Sequence, residues 1–223
     1  MLIDYKTCRD VVAAFHKVDI TKVLHIGAHT GEEAEAYAAN GVRQVIWVEA
    51  NPALLTDLER HIRRFPLMQQ IVPLALWNEN TRLTFNVTNN NESSSLFELG
   101  THADHYPHIL VVDRVEVDAV RFDSIIESQT DTLLFTDFEF VNIDTQGAEL
   151  AILQGFGRHL AAPSIKAIYL EVNRESLYRD IPLVDEIDVF LGTRGFSRVM
   201  TQWTNVGWGD ALYLRHVEGA ACD

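Results

Sequence analysis

The hydrophobic residues of this chain fall into short unbroken runs set between stretches of helical period. KVLHI (22–26), QVIWVEA (44–50), FEFVNID (138–144) and IKAIYLEV (165–172) are each too short for a helix. They end at glycine or polar residues, so they read as strands buried on both faces. QQIVPLAL (69–76) reads as a third such strand along the chain. TRLTFNV (81–87) and RVEVDAV (114–120) alternate with period two, and the first is expected at a sheet edge. Between the runs lie helical segments. They are TCRDVVAAFHK (7–17), with Val11, Val12 and Phe15 on one side, GEEAEAYAANG ending at Gly41, and a helix opened by Pro52 that runs to about Phe65. FDSIIES and GAELAILQGF complete the set, and GFSRVMTQW pairs with DALYLRH as a terminal hairpin.

Buried strands alternating with helices predict an α/β fold. The expected form is a doubly wound, mostly parallel sheet with helices on both faces and a C-terminal antiparallel hairpin. The chain is expected to be one domain over residues 1–223, with residues 1–20 as an N-terminal helical extension. Ligands of such sheets bind beyond the carboxyl ends of the strands, which directs attention to the residues following Ile26, Val48, Leu76, Ile143 and Leu170.

The first of these loops, GAHTGEE, departs from a dinucleotide fingerprint. G-x-G-x-x-G would need glycines at 27, 29 and 32, where the chain has Gly27, His29 and Glu32. Glu32 and Glu33 would also place negative charge at the helix end that a pyrophosphate needs. No Lys-Ser/Thr follows, so the loop is not a P-loop. A nucleoside without phosphates fits better. Glu49, 22 residues after Gly27, stands where a carboxylate accepts both ribose hydroxyls. S-adenosylmethionine has a ribose, an adenine and a sulfonium, and an acidic pocket suits it.

Charge and composition narrow the partners. The chain carries 18 basic and 32 acidic residues, a formal charge of −14, which repels nucleic acid and anionic membranes. No apolar stretch is long enough to insert in a bilayer, and MLIDYKTCRD does not read as a signal peptide. Cys8 and Cys222 form no disulfide framework, so a cytoplasmic setting is expected.

VLHIGAHTGEE, WVEANP, VEVDAVRFDSII, FVNIDTQGAELAILQG, IYLEVN and DALYLR occur in that order over about residues 23–215. In these segments the chain resembles the FkbM family of S-adenosylmethionine-dependent methyltransferases, most specifically in IDTQGAELAILQG. The resemblance implies a class I, Rossmann-like methyltransferase fold and O-methylation of a hydroxyl on a small molecule or glycan. It carries Gly27, His29, Gly31 and Glu49 over as cofactor contacts, with Leu76 where such folds flank the adenine. His25 replaces an Asp usual in the family's first strand. It reads equally as a ligand contact or as a buried strand residue.

Methyl transfer to an alcohol needs alignment and help in removing the hydroxyl proton. Asp144, Glu171 and Asn173 close adjacent strands and are the candidates for catalysis, with Asp144 also at the cofactor edge. The three together read either as oxygen ligands for one Mg²⁺, or with Asp144 or Glu171 as a base without metal; the metal-free version is preferred. Glu149 is read as orienting the helix that it begins. His102, Asp104, His105 and His108 in THADHYPH read as a solvated loop, because Pro107 interrupts any shared helical face. The irregular segment 89–112 is long enough to serve as a lid. Trp203 and Trp208 are expected to cap the core. Two other classes stay open: a nicotinamide-dependent oxidoreductase of Rossmann type, and a non-catalytic cofactor-binding module.

Overall fold

A computed structural model describes residues 1–128 and 133–217, so Cys222 lies outside the described residues. In chain order the elements are α1 (Tyr5–His16), β1 (Lys22–Ile26), α2 (Ala34–Ala39), β2 (Gln44–Val48), α3 (Leu55–Ile62) and β3 (Met68–Val72). There follow β4 (Ala75–Leu76), β5 (Thr81–Thr88), α4 (His102–His105), β6 (Val111–Val120), α5 (Phe122–Glu127) and β7 (Phe140–Ile143). The last third holds α6 (Glu149–Gly155), β8 (Ala167–Asn173), α7 (Val184–Gly192), β9 (Phe196–Trp203) and β10 (Trp208–Arg215).

Seven strands form the main sheet in the order β3-β2-β1-β7-β8-β10-β9. The first five are parallel, while β10 runs antiparallel to both β8 and β9. The chain builds outward from β1 in one direction and then returns to lay β7 on its other side. That reversal opens a crevice above the carboxyl ends of β1 and β7, the usual place for a ligand in a sheet of this kind.

Alternation along the buried strands feeds two cores. Leu24, Ile26, Val141, Ile143, Ile168 and Leu170 point to one face, where they meet Ile152, Leu153 and Phe156 of the α6 segment. Val23, Val45, Trp47, Phe140 and Tyr169 point to the other, against Tyr37 and Leu58. Burial of an aliphatic side chain such as Leu24 contributes about 1.5–3 kcal/mol, so these two layers fix the register of the sheet. The N-terminal helix belongs to the second core: Tyr5, Cys8 and Val12 are buried in it. Asp4 starts the helix by accepting the Thr7 amide hydrogen at 2.9 Å.

Three expectations need correction. QQIVPLAL is not one strand. Pro73 cannot donate to a ladder, and the chain breaks there into β3 of the main sheet and β4 of a small second sheet ordered β4-β6-β5. TRLTFNV is an edge strand, but of that second sheet. Segment 89–112 is not wholly irregular, for it holds α4 and the start of β6, while α7 has no counterpart among the expected elements.

Candidate functional site

The loop after β1 turns sharply because Gly27 and His29 both take left-handed backbone angles, φ 83° and 47°. Gly27 is there for space as well as angle. A Cβ at this position would overlap the backbone carbonyl of Asp144, where the ends of β1 and β7 meet. The turn aims the His29 backbone N–H at Glu49, which accepts it through Oε2 at 2.7 Å. The other oxygen of Glu49 accepts the Asn51 N–H at 2.6 Å. Two backbone donors thus hold the carboxylate with a lone pair left on each oxygen. Burial pushes the Glu49 carboxyl above its ordinary value, against the pull of those hydrogen bonds.

Beside it, the side chain of Asn51 is buried and its Nδ2 has no partner among the described residues. An unpaired buried donor costs about 1–3 kcal/mol. Both residues line a cavity of about 540 Å³, together with Leu76, Phe85, Ala50 and Leu54 on the apolar side.

The far end of the cavity is acidic. Gln146 follows Asp144 in a left-handed conformation, φ 57°. Its Nε2 donates to Asp144 Oδ1 and to Glu171 Oε2, both at 2.9 Å. Its Oε1 accepts the Tyr178 hydroxyl at 2.8 Å. The amide therefore clamps two carboxylates that both line the cavity. Burial and the neighbouring Asp210 push Asp144 up to about 6. Burial and the adjacent Asp144 drive Glu171 well above the usual carboxylate range.

Glu149 supports this loop from behind. Its Oε1 accepts the amide hydrogens of Thr145 at 3.0 Å and Gly147 at 3.2 Å. It is one of the most buried acids of the chain and lies off the cavity, so it shapes the DTQG turn rather than facing a ligand.

His25 also lines the cavity. Its Nδ1 sits 3.0 Å from the Tyr37 hydroxyl, and its ring lies against Trp47 with centroids 5.0 Å apart. Burial lowers its pKa to about 3, so it is neutral at physiological pH and does not repel a cationic ligand.

Of the residues singled out in the sequence, Gly27, His29, Glu49, Leu76, Asp144 and Glu171 converge on this one cavity. Gly31 does not reach it. A Cβ there would stand 2.6 Å from Ile62 Cγ2, so this glycine lets the loop pack on α3. Asn173 also lies off the cavity, buried beside β10, and its Oδ1 has no partner among the described residues. The oxygen triad envisaged for Mg²⁺ is thus not assembled: one member points elsewhere, and Gln146 spans the other two. Trp203 holds the Arg174 guanidinium over its ring at 3.9 Å, whereas Trp208 lines the cavity rather than only capping the core.

Sequence reasoning missed Asn51, Gln146 and Tyr178 and read His102 as part of a solvated loop; all four line the cavity, and His102 is buried there. Asn51 and Gln146 stand inside the motifs already noticed, two residues past Glu49 and Asp144. Tyr178 carried no local signal, and the histidine cluster THADHYPH does not distinguish His102 from His105 and His108.

A family model described as a methyltransferase FkbM domain matches residues 25–198. The chain belongs to the FkbM methyltransferase family. No curated protein matches this FkbM chain by sequence. Among solved structures it is similar to M. capricolum TrmK in complex with S-adenosyl-homocysteine, at 9% identity and a TM-score of 0.51, over 96% of this chain and 69% of that one. It is similar also to a ribosomal protein L11 methylase from Lactobacillus delbrueckii subsp. bulgaricus, at 10% identity and a TM-score of 0.50, over 95% and 78%. At such identities the likeness is one of fold, that of the class I methyltransferases. Among the described residues of this FkbM protein, no helix is long and apolar enough to cross a membrane.

Proposed function

We propose that the protein transfers a methyl group from S-adenosylmethionine to a hydroxyl of a small molecule or glycan. One observation carries the proposal: a single cavity has a ribose-type receptor at one end, Glu49 with the unpaired Asn51 amide, and a cation-type receptor at the other, Asp144 with Glu171. S-adenosylmethionine presents a diol and a cationic sulfonium in that sense, and when bound it supplies an electrophilic methyl group. The two ends suit no pyrophosphate, since Glu32 and Glu33 line the cavity as well. This weighs against a nicotinamide cofactor.

The residues of the chain then divide the work. Glu49 and Asn51 hold the ribose, and Leu76 and Phe85 flank the base. Asp144 and Glu171, kept in place by Gln146, neutralise the positive end and exclude an unpaired charge from the interior. The acceptor enters past segment 90–109, whose Asn90, Ser93, Ser94 and Tyr106 offer hydroxyl and amide partners. These are neutral groups, and they suit a neutral polyhydroxyl acceptor better than a phosphate-bearing one. A reducing, cytoplasmic setting goes with this proposal, which the buried free thiol of Cys8 suits.

Glu49→Gln retains the shape of the side chain but loses its charge and one acceptor. Charge-assisted hydrogen bonds are worth about 1.5–3 kcal/mol each. The dissociation constant for S-adenosylmethionine is therefore expected to rise at least about tenfold in a variant that still folds. Calorimetric titration of the variant checks this, and an unchanged constant removes Glu49 from the site. Methyl transfer itself is tested with labelled S-adenosylmethionine against matched panels of methyl glycosides, aliphatic alcohols and amines, with and without Mg²⁺ and chelator. Label in the hydroxyl panel supports O-methylation, and label confined to the amines overturns it.

A further inference from the structure

The residues at the mouth of the sheet follow the order of its strands. Glu49 comes after β2, Gly27 and His29 after β1 and Asp144 after β7, while Glu171 lies in β8 and Trp208 opens β10. Neighbouring strands lie about 4.8 Å apart, so Asp144 stands about 10 Å along the crevice from Glu49, and Trp208 about 10 Å beyond it on the other side. β10 runs antiparallel to β8, with Trp208 opposite Asn173 and Asp210 opposite Glu171, which brings its first residue to the mouth of the parallel strands. Trp208 and Asp210, two residues apart, share one face of β10, and both line the cavity.

Trp208 is held firmly. Its carbonyl accepts the Thr204 N–H at 2.8 Å and the Thr204 hydroxyl at 2.7 Å, and the Gly207 carbonyl accepts the Arg174 N–H at 2.8 Å. The indole N–H donates to the Tyr106 hydroxyl at 3.4 Å. The ring packs against the cluster of Leu177, Tyr178 and Ile181, yet it stays half-buried and accessible from the cavity. The other tryptophans are differently placed. Trp47 is buried in the sheet, Trp77 lies off the cavity beside Phe97, and Trp203 carries the Arg174 guanidinium. Among the other rings of the cavity wall, His25, His102 and Tyr178 are buried, and His29 lies at the Glu49 end with Phe85.

The charge of the wall restricts what can lie on this surface. Glu92, Asp144, Glu171 and Asp210 line the cavity, as do Glu32, Glu33 and Glu49, and among the described residues no lysine or arginine does. His29 Nδ1 and the Met1 amine, the basic groups there besides the buried His25 and His102, stand 2.8 and 3.9 Å from Glu32 and Glu33. A carboxylate or phosphate on the acceptor meets like charge without a free cation to offset it. A neutral pyranose ring meets no such penalty. It has C–H groups on its faces, which suit an indole, and hydroxyls around its rim, which suit Asn90, Ser93 and Tyr106.

We propose that Trp208 is the platform for the acceptor: an uncharged pyranoside stacks a C–H face on the indole and turns one hydroxyl toward the methyl group at the Asp144 end. The inference rests on the O-methylation proposed above. Trp208 sets which ring is accepted and takes no part in moving the proton.

The test has two arms on the full chain. In the first, the protein carries 5-fluorotryptophan and is saturated with S-adenosylhomocysteine. Methyl pyranosides, the matching uronic acids and 6-phosphates, and acyclic polyols are titrated in. The Trp208 fluorine signal, assigned by its loss in Trp208→Phe, is expected to shift with a neutral pyranoside and to stay in place with the anionic sugars and the polyols, while that of Trp47 does not move. In the second arm, the same probes are methylated with labelled cofactor. Trp208→Ala should raise the pyranoside KM at least about tenfold, with kcat within about threefold and the cofactor KM within about twofold of wild type. Trp208→Phe retains a flat ring and should keep the pyranoside KM within about threefold. An unmoved Trp208 signal, an equal shift with the anionic sugars, or a wild-type pyranoside KM in Trp208→Ala overturns the platform and leaves O-methylation standing. A wild type that methylates none of the hydroxyl probes refutes the underlying proposal and this inference with it.

Discussion

Gly27→Ala is expected to abolish cofactor binding, and to do so from a position whose side chain is a single hydrogen atom. The added Cβ would overlap the backbone carbonyl of Asp144, which cannot swing aside because the Asp144 N–H is itself bonded to the Ile26 carbonyl at 2.9 Å. The φ of 83° is a second penalty, on the order of 1–2 kcal/mol for an L-residue. Relief requires β1 and β7 to part at their carboxyl ends, which moves the His29 amide away from Glu49 and Asp144 away from Gln146. Both receptors are damaged by one methyl group. S-adenosylmethionine binding is expected to fall at least about 100-fold, on the order of 3 kcal/mol. The melting temperature should fall by several degrees, because the strands themselves stay paired lower down. Calorimetry and thermal melts together read this. Wild-type affinity in a folded variant would show that the loop tolerates the Cβ and that this close approach does not build the site.

The second large effect separates function from stability at Asp144. Its carboxyl is raised in the folded protein to about 6, against an ordinary value of 3.8. A group that holds its proton more tightly when folded favours folding in acid, and that contribution is lost as pH rises from about 4 through 6. Above that window the folded protein carries a buried charge that the unfolded chain leaves in water, a cost on the order of 3 kcal/mol. Asp144→Asn removes it. The variant is expected to melt about 6–12 °C higher than wild type at pH 8, and the gap should close below pH 4. Affinity for S-adenosylmethionine should move the other way. Losing one partner of a buried charge pair costs about 2–5 kcal/mol, or about 30-fold and more in the dissociation constant. A variant that is more stable yet binds poorly is the signature of an acid kept for its ligand. Equal affinity with raised stability would mean that Asp144 does not face the cationic end.

Much of the fold is legible because the physics that forms it is local. KVLHI and IKAIYLEV are unbroken apolar runs, and only a strand buried on both faces uses such a pattern. Glu49 and Asp144 are legible for a related reason, since a polar residue that ends such a run stands at the mouth of the sheet. Pro73 was misjudged because QQIVPLAL retains its hydrophobicity across the break while losing one ladder donor. Gly31 sits in the same loop as Gly27, yet it serves packing on α3, and only the position of Ile62 tells the two apart. Asn173 shares the strand face of Glu171, but the cavity ends before reaching it. The burial of His102 is not legible in the sequence. Its place depends on Leu177 and Tyr178, some 75 residues along the chain, and nothing in THADHYPH announces that pairing.

The proposed methyl transfer requires one cavity to receive a nucleoside without phosphates and with a cationic tail. Calorimetric titration of the wild type with S-adenosylmethionine and S-adenosylhomocysteine, run beside NADH, tests it most directly. Saturable binding of both adenosyl ligands at one site per chain is expected, weakened by Glu49→Gln, with no heat from NADH. Clear NADH binding, with no heat from either adenosyl ligand, would contradict it.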